Sequence, residues 1–163
     1  YYDTPYDDRI SACNERLNNT YISYGVSGYA RKENQMVQDR NAKRISSANM
    51  AERAVSKSKS VYDNSSWDLV DKVRADKDAL SEIRQSDLPE ELQNKSKADI
   101  QKLITKKEAE RAAIQKEIND LAKKRQEYIN NEMKNDKDGD DLGDAITFSL
   151  LAFAKDKGYS VDK

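Results

Sequence analysis

The sequence predicts a mainly α protein: a small α/β remnant, a βαβ corner of a parallel sheet, followed by a helical extension containing one long helix. Three observations predict it. Charged and hydrophobic residues each make up 36% of the 163 residues, a balance suited to long exposed helices with almost wholly polar outer faces. A stretch rich in β-branched and aromatic residues, Thr20-Tyr21-Ile22-Ser23-Tyr24, follows an amphipathic helical pattern, as a second strand does after the helix of a βαβ unit. Finally, apolar residues recur at helical spacing from Ile100 to Tyr128, which predicts a single helix over about 97–134. The expected division is an α/β part at 1–62 and a helical extension at 63–163.

The opening residues Tyr1-Tyr2-Asp3 read as the end of a strand running into a helix. The other strands of the sheet are expected upstream of this sequence. Thr4 can cap that helix, Pro5 suits its first position, and Asp7 favours the positive first turn. Tyr6, Ile10, Cys13 and Leu17 form its apolar face, and Asn18-Asn19 ends it. After Gly25 and Gly28, residues 30–62 lack Pro and Gly and read as helix with a break near Ser46-Ser47. Small residues in the stripe Ala51, Ala54, Val55, Ser58, Val61 and Tyr62 predict close packing on a neighbour.

Ser65-x-x-Asp68 resembles a capping box opening a helix that carries Trp67, Leu69, Val70, Val73, Leu80 and Ile83. A break follows at Ser86-Asp87-Leu88-Pro89, where Pro89 opens a short turn. Ser96-x-x-Asp99 caps the long helix, which at about 1.5 Å per residue would reach roughly 55 Å. Lys107, Arg111 and Arg125 interrupt its apolar seam, which argues against a strong dimeric zipper. After a polar joint, a docking helix is expected at about 141–157, bearing Leu142, Ala145, Ile146, Leu150 and Phe153 and stopped by Gly158.

Chemistry is sparsely signalled. There is no histidine, which removes the commonest general base and metal ligand from these residues. Cys13, the only cysteine, lies on an apolar stripe and reads as core. The formal net charge of −1 gives no general attraction to nucleic acid, and no apolar run has the length of a membrane span. Asp136-x-Asp138-x-Asp140 lacks the glycine and the glutamate that an EF-hand loop places later, so it reads as a solvated joint. Trp67 with Tyr62 reads as internal packing. Asp3, where a strand hands over to a helix, is the one residue placed to act as a metal ligand at the carboxyl edge of a sheet.

Several segments resemble the later part of von Willebrand factor type A domains from bacterial extracytoplasmic proteins. They are Pro5-Tyr6-Asp7-Asp8, the run from Leu17-Asn18-Asn19-Thr20 through Tyr24-Gly25, Ala51-Glu52-Arg53-Ala54-Val55-Ser56-Lys57-Ser58 and Asn64-Ser65-Ser66-Trp67-Asp68-Leu69-Val70-Asp71. Glu108-Ala109-Glu110-Arg111-Ala112-Ala113-Ile114-Gln115 and Lys155-Asp156-Lys157-Gly158-Tyr159 add to the likeness. The resemblance implies a doubly wound, Rossmann-like sheet with a metal-ion-dependent adhesion site, usually holding Mg2+. It also implies a periplasmic or secreted location. The Asp-x-Ser-x-Ser loop of that site does not occur here, and Thr4-Pro5 follows Asp3 where Thr-Asp-Gly is usual.

The expected function is non-enzymatic: binding a protein partner, or scaffolding, in the cell envelope. Two alternatives stand beside it. One is a cytoplasmic coiled-coil adaptor using the Ile100–Tyr128 stripe as an intermolecular seam; the other is a non-catalytic part of an enzyme whose active site lies upstream.

Overall fold

A computed structural model describes residues 2–135 and the single position 149. The acidic joint at 136–140 and the docking helix expected at 141–157 lie outside the described residues. The chain divides into two compact units, Tyr1–Arg125 and Gln126–Lys163.

Helices dominate the described residues, and the mainly α class holds. They are α1 (Asp7–Asn18), α2 (Gly28–Ile45), α3 (Ser47–Lys57), α4 (Leu69–Ala75), α5 (Ala79–Glu82), α6 (Glu90–Gln93) and α7 (Lys97–Asn135), with a 3-10 turn at Gln85–Asp87. The break foreseen near Ser46 is real. Ser46 leaves helical geometry (φ −168°, ψ 161°) and its side chain accepts from the Asn49 N–H, closing the start of α3. Ser96 caps α7 as expected, its Oγ accepting from the Asp99 N–H at 3.1 Å and donating to Asp99 Oδ2 at 2.9 Å. At α1 regular helix begins only at Asp7. The polar closure is still that of a capping box: the Thr4 N–H donates to Asp7 Oδ2 at 2.8 Å, and Thr4 Oγ1 accepts from the Tyr6 N–H at 3.3 Å. For α4 the cap is Asp68, which accepts from the Asp71 N–H, rather than Ser65.

The βαβ corner is where the structure departs from expectation. No strand occurs among the described residues. Segment 20–24 is extended but makes a single antiparallel bridge, Ser23 with Asp68. Its backbone is satisfied by the entrance to α4. The Tyr24 N–H donates to the Trp67 carbonyl (2.9 Å), the Leu69 N–H to the Ile22 carbonyl (2.8 Å), and the Ile22 N–H to Asp68 Oδ1 (2.8 Å). A carboxylate thus stands where a neighbouring strand would have been. The alternation that reads as a half-buried strand serves two helical layers instead: Tyr21 enters one hydrophobic cluster while Ile22 and Tyr24 pack against the other. Gly25, in the left-handed region at φ 76°, then turns the chain toward α2.

Those two clusters are the core of the first unit. The first joins Ile10, Cys13 and Leu17 of α1 to Met50, Ala51 and Ala54 of α3, with Tyr21, Trp67 and Ile114, Ile118 and Leu121 of α7. The small residues of α3 let α1 pack closely on it, although Val61 from the same predicted stripe lies beyond the helix end and is exposed. The second joins Leu69, Val70 and Val73 of α4 to Leu80, Leu88, Leu92, Ile100 and Ile104. Each fully buried Ile or Leu contributes about 2 kcal/mol of burial. The α7 seam is therefore covered from within the chain over Ile100–Leu121, where an intermolecular zipper would need it open. In the second unit, the described part is the end of α7, where Gln126 Nε2 donates to Asn130 Oδ1 at 2.9 Å.

Candidate functional site

Between the two clusters sits a charged clasp. Arg111, which interrupts the apolar seam in the sequence, is only 2% exposed. Its Nη1 donates to Asp68 Oδ2 and Asp71 Oδ1, both at 2.8 Å, while Nε and Nη2 donate to Thr20 Oγ1 and the Thr20 carbonyl, both at 2.9 Å. The guanidinium lies 4.2 Å from the centre of the Tyr21 ring, within cation–π range. Burial pulls the Arg111 pKa down, but Asp68, Tyr21 and Asp71 outweigh it and hold it above its ordinary value. Arg125 does a similar job at the other end of the first cluster, donating to Asp7 Oδ1 at 2.7 Å and to Glu52 Oε1. Of the three seam interruptions, Arg111 and Arg125 are fastenings of α7 to the rest of its own unit, whereas Lys107 pairs with Glu110 on α7 itself at 3.2 Å.

A third buried cation lies where α1, α2 and α3 meet. The Lys57 side chain is wholly buried. Its amine donates to Asp39 Oδ2 at 2.8 Å and to Asn18 Oδ1 at 2.6 Å. Asp39 also accepts from Arg53 Nε (2.6 Å), Asn14 Nδ2 (2.8 Å) and Asn18 Nδ2 (2.7 Å). Burial pushes the Asp39 carboxyl up, yet Lys57, Asn18 and Asn14 more than offset this and leave it below its usual range. For Lys57 burial prevails over Asp39 and brings the ammonium down to about 8. A lysine near neutrality can serve as a nucleophile or base, but this amine has no solvent-facing surface. A cleft of about 250 Å³ beside it is lined by Asn14, Asn18 and Asp39, not by Lys57. The arrangement is a packed ionic joint.

One region leaves its polar and aromatic groups outside. The loop after segment 20–24, the first turns of α2, and the 3-10 turn running into α6 enclose a groove of about 500 Å³. Backbone pairing fixes its two sides, the Gly25 N–H donating to the Asp87 carbonyl at 2.7 Å. Gly28 eases the close approach, since a Cβ there would stand 3.3 Å from the Ser23 carbonyl carbon and the neighbouring backbone would have to give slightly. Tyr24, Tyr29, Leu88 and Pro89 supply apolar surface, and Glu33, Asp87, Glu90 and Glu91 supply carboxylates. Tyr29 is 74% exposed and the neighbouring Val26 98%. Tyr24 is anchored through its hydroxyl, which donates to the Ser65 carbonyl at 2.5 Å. Lys32, the one cation of the lining, donates to the Tyr21 carbonyl at 3.0 Å.

Residues singled out from sequence fall as follows. Trp67 is buried, 5.6 Å from Tyr21 ring to ring, with Nε1 donating to Asn64 Oδ1 at 3.1 Å. Tyr62 donates to Gln35 Oε1 at 3.0 Å, so both serve internal packing. Cys13 is buried, and burial raises its thiol pKa, with Glu117 adding to the effect. Asp3 is exposed on the segment before α1. Among the described residues no three of His, Cys, Asp and Glu gather as a group that could hold a metal ion. No described helix is long and apolar enough to cross a membrane. Sequence reasoning missed the groove, whose sides come from distant parts of the chain. It also missed Arg111 as a clasp, for which an arginine at a seam position was the available signal.

Among the described residues, fold and site define a helical module whose buried cations are paired internally and which has an open groove lined by aromatic and acidic residues. No family model, curated protein or solved structure matches the chain.

Proposed function

We propose that this chain is a non-enzymatic protein-binding module, a scaffold whose helices hold a recognition groove in place. The observation that carries the reading is the groove itself: the exposed Tyr29 sits in a mostly polar lining with three carboxylates, Glu33, Glu90 and Glu91, that make no ion pair among the described residues, while the buried cations Lys57, Arg111 and Arg125 all have partners. Aromatic groups on a rigid frame lose little freedom on contact and are favoured at binding surfaces. A cell-envelope setting rests on the von Willebrand resemblance alone, and the binding reading stands without it.

The test is selection from a random peptide display library on the immobilised full chain. Enrichment of sequences that retain binding as free synthetic peptides supports the reading. Repeated selection without any such sequence contradicts it.

A further inference from the structure

We infer that the groove between the start of α2 and the turn before α6 takes an arginine side chain from an extended segment of a partner protein. The inference rests on the protein-binding reading and names the chemistry of the partner. The molecule contains its own precedent. Arg111 is held by an aromatic face, two carboxylates and a backbone carbonyl. Close by in sequence, the groove offers the same components facing solvent: Tyr24 and Tyr29 as aromatic surface, and carboxylates around them.

Charge accounting favours a cationic guest. Asp87 is already engaged by Arg84, Nε to Oδ2 at 2.9 Å. Glu33, Glu90 and Glu91 have no ion pair among the described residues. Lys32 donates to the Tyr21 carbonyl and keeps its charge, so four carboxylates of the lining face one lysine and the groove carries a net negative charge. Arginine fits better than lysine because a planar guanidinium can stack on a tyrosine while two of its edges meet carboxylates. At about 500 Å³ the groove lies within the range of clefts that enclose a ligand, about 300–1,000 Å³, so the arginine and the backbone flanking it can be accommodated. The exposed Tyr29 then covers the apolar stem of the guest.

The experiment is fluorescence anisotropy with labelled peptides identical except for a central Arg-Arg, Lys-Lys, Gln-Gln or Glu-Glu pair. Each is titrated with the full chain, with Tyr29→Ala, and with Glu33→Gln/Glu90→Gln/Glu91→Gln. The expected order is Arg-Arg tightest, Lys-Lys weaker, and Gln-Gln and Glu-Glu weakest. Either variant should weaken the Arg-Arg peptide by at least about tenfold, and added salt should weaken it further. All substituted positions are on the surface, and thermal melting confirms that the variants fold. Equal binding by wild type and both variants overturns the inference, as does a Glu-Glu peptide that binds as well as Arg-Arg. Spermidine displacing the peptide at equal concentration also overturns it, in favour of a polyamine site. If library selection yields peptides indifferent to Tyr29→Ala, the arginine groove fails while the binding reading survives; if it yields none, both fail.

Discussion

Tyr21 and Tyr29 lie eight positions apart and face opposite fates. Around Tyr21, carboxylates, a carbonyl and an arginine close on one another, and the whole set is buried. Around Tyr29, aromatic surface meets four carboxylates, of which Arg84 closes only Asp87, while Glu33, Glu90 and Glu91 make no ion pair among the described residues. The difference lies in the supply of a counter-charge. Helix α7 brings Arg111 to the first site, whereas nothing among the described residues brings a free guanidinium to the second. The same chemistry is a structural joint where the chain completes it and, in the function proposed above, a recognition surface where it does not.

The largest effect should come from breaking the closed site. Arg111→Met leaves Asp68 and Asp71 buried without their main partner, though Arg74 still meets Asp71 at 2.9 Å. A loss of about 3–5 kcal/mol is expected, read as a lower urea midpoint at unchanged slope. Next comes Arg125→Met. Asp7 keeps the Thr4 N–H and hydroxyl as donors, so about 2 kcal/mol is expected by the same measurement.

A third prediction separates the two kinds of interior cation by pH. Lys57 should titrate near 8 in a carbon-13 NMR experiment on the lysine side chains, and Asp39→Asn should move it lower still, since Asp39 is what raises it. Because the folded value lies below the unfolded one of about 10.4, the penalty for burying the ammonium is fully present below pH 8. As pH rises from there toward the unfolded value, the folded state has released the proton and the unfolded chain has not. Stability from this group therefore increases over that window. A fall assigned to Lys57 would contradict its placement.

The smallest stability effect belongs to the open site. Tyr29→Ala should change the urea midpoint by less than about 0.5 kcal/mol in free energy, while abolishing most peptide binding. A large loss of stability there would make Tyr29 a structural residue and erase the contrast.

Local chemistry made much of this fold legible in advance. Ser96 places its own cap, the break near Ser46 and the end of α1 at Asn18-Asn19 fall where expected, and the stripe from Ile100 onward fixes a helix whose observed bounds, Lys97–Asn135, nearly coincide with those predicted. Segment 20–24 misled because β-branched and aromatic alternation reports two buried sides, not which elements supply them. Asp68 could not be foreseen there: a side chain substituting for a strand is a tertiary event. The seam interruption at Arg111 was visible, but its meaning depended on two acids some forty residues upstream. The groove was invisible for the same reason, since residues 23–33 and 86–91 signal nothing until folding brings them together.

The most direct test is an amide chemical-shift map of the full chain titrated with the Arg-Arg peptide. The account predicts saturable shifts concentrated in residues 23–33 and 86–91, with the amides around Thr20 and Arg111 nearly unmoved. Shifts centred on α1, α3 or α7, or none at all at saturating peptide, would contradict it.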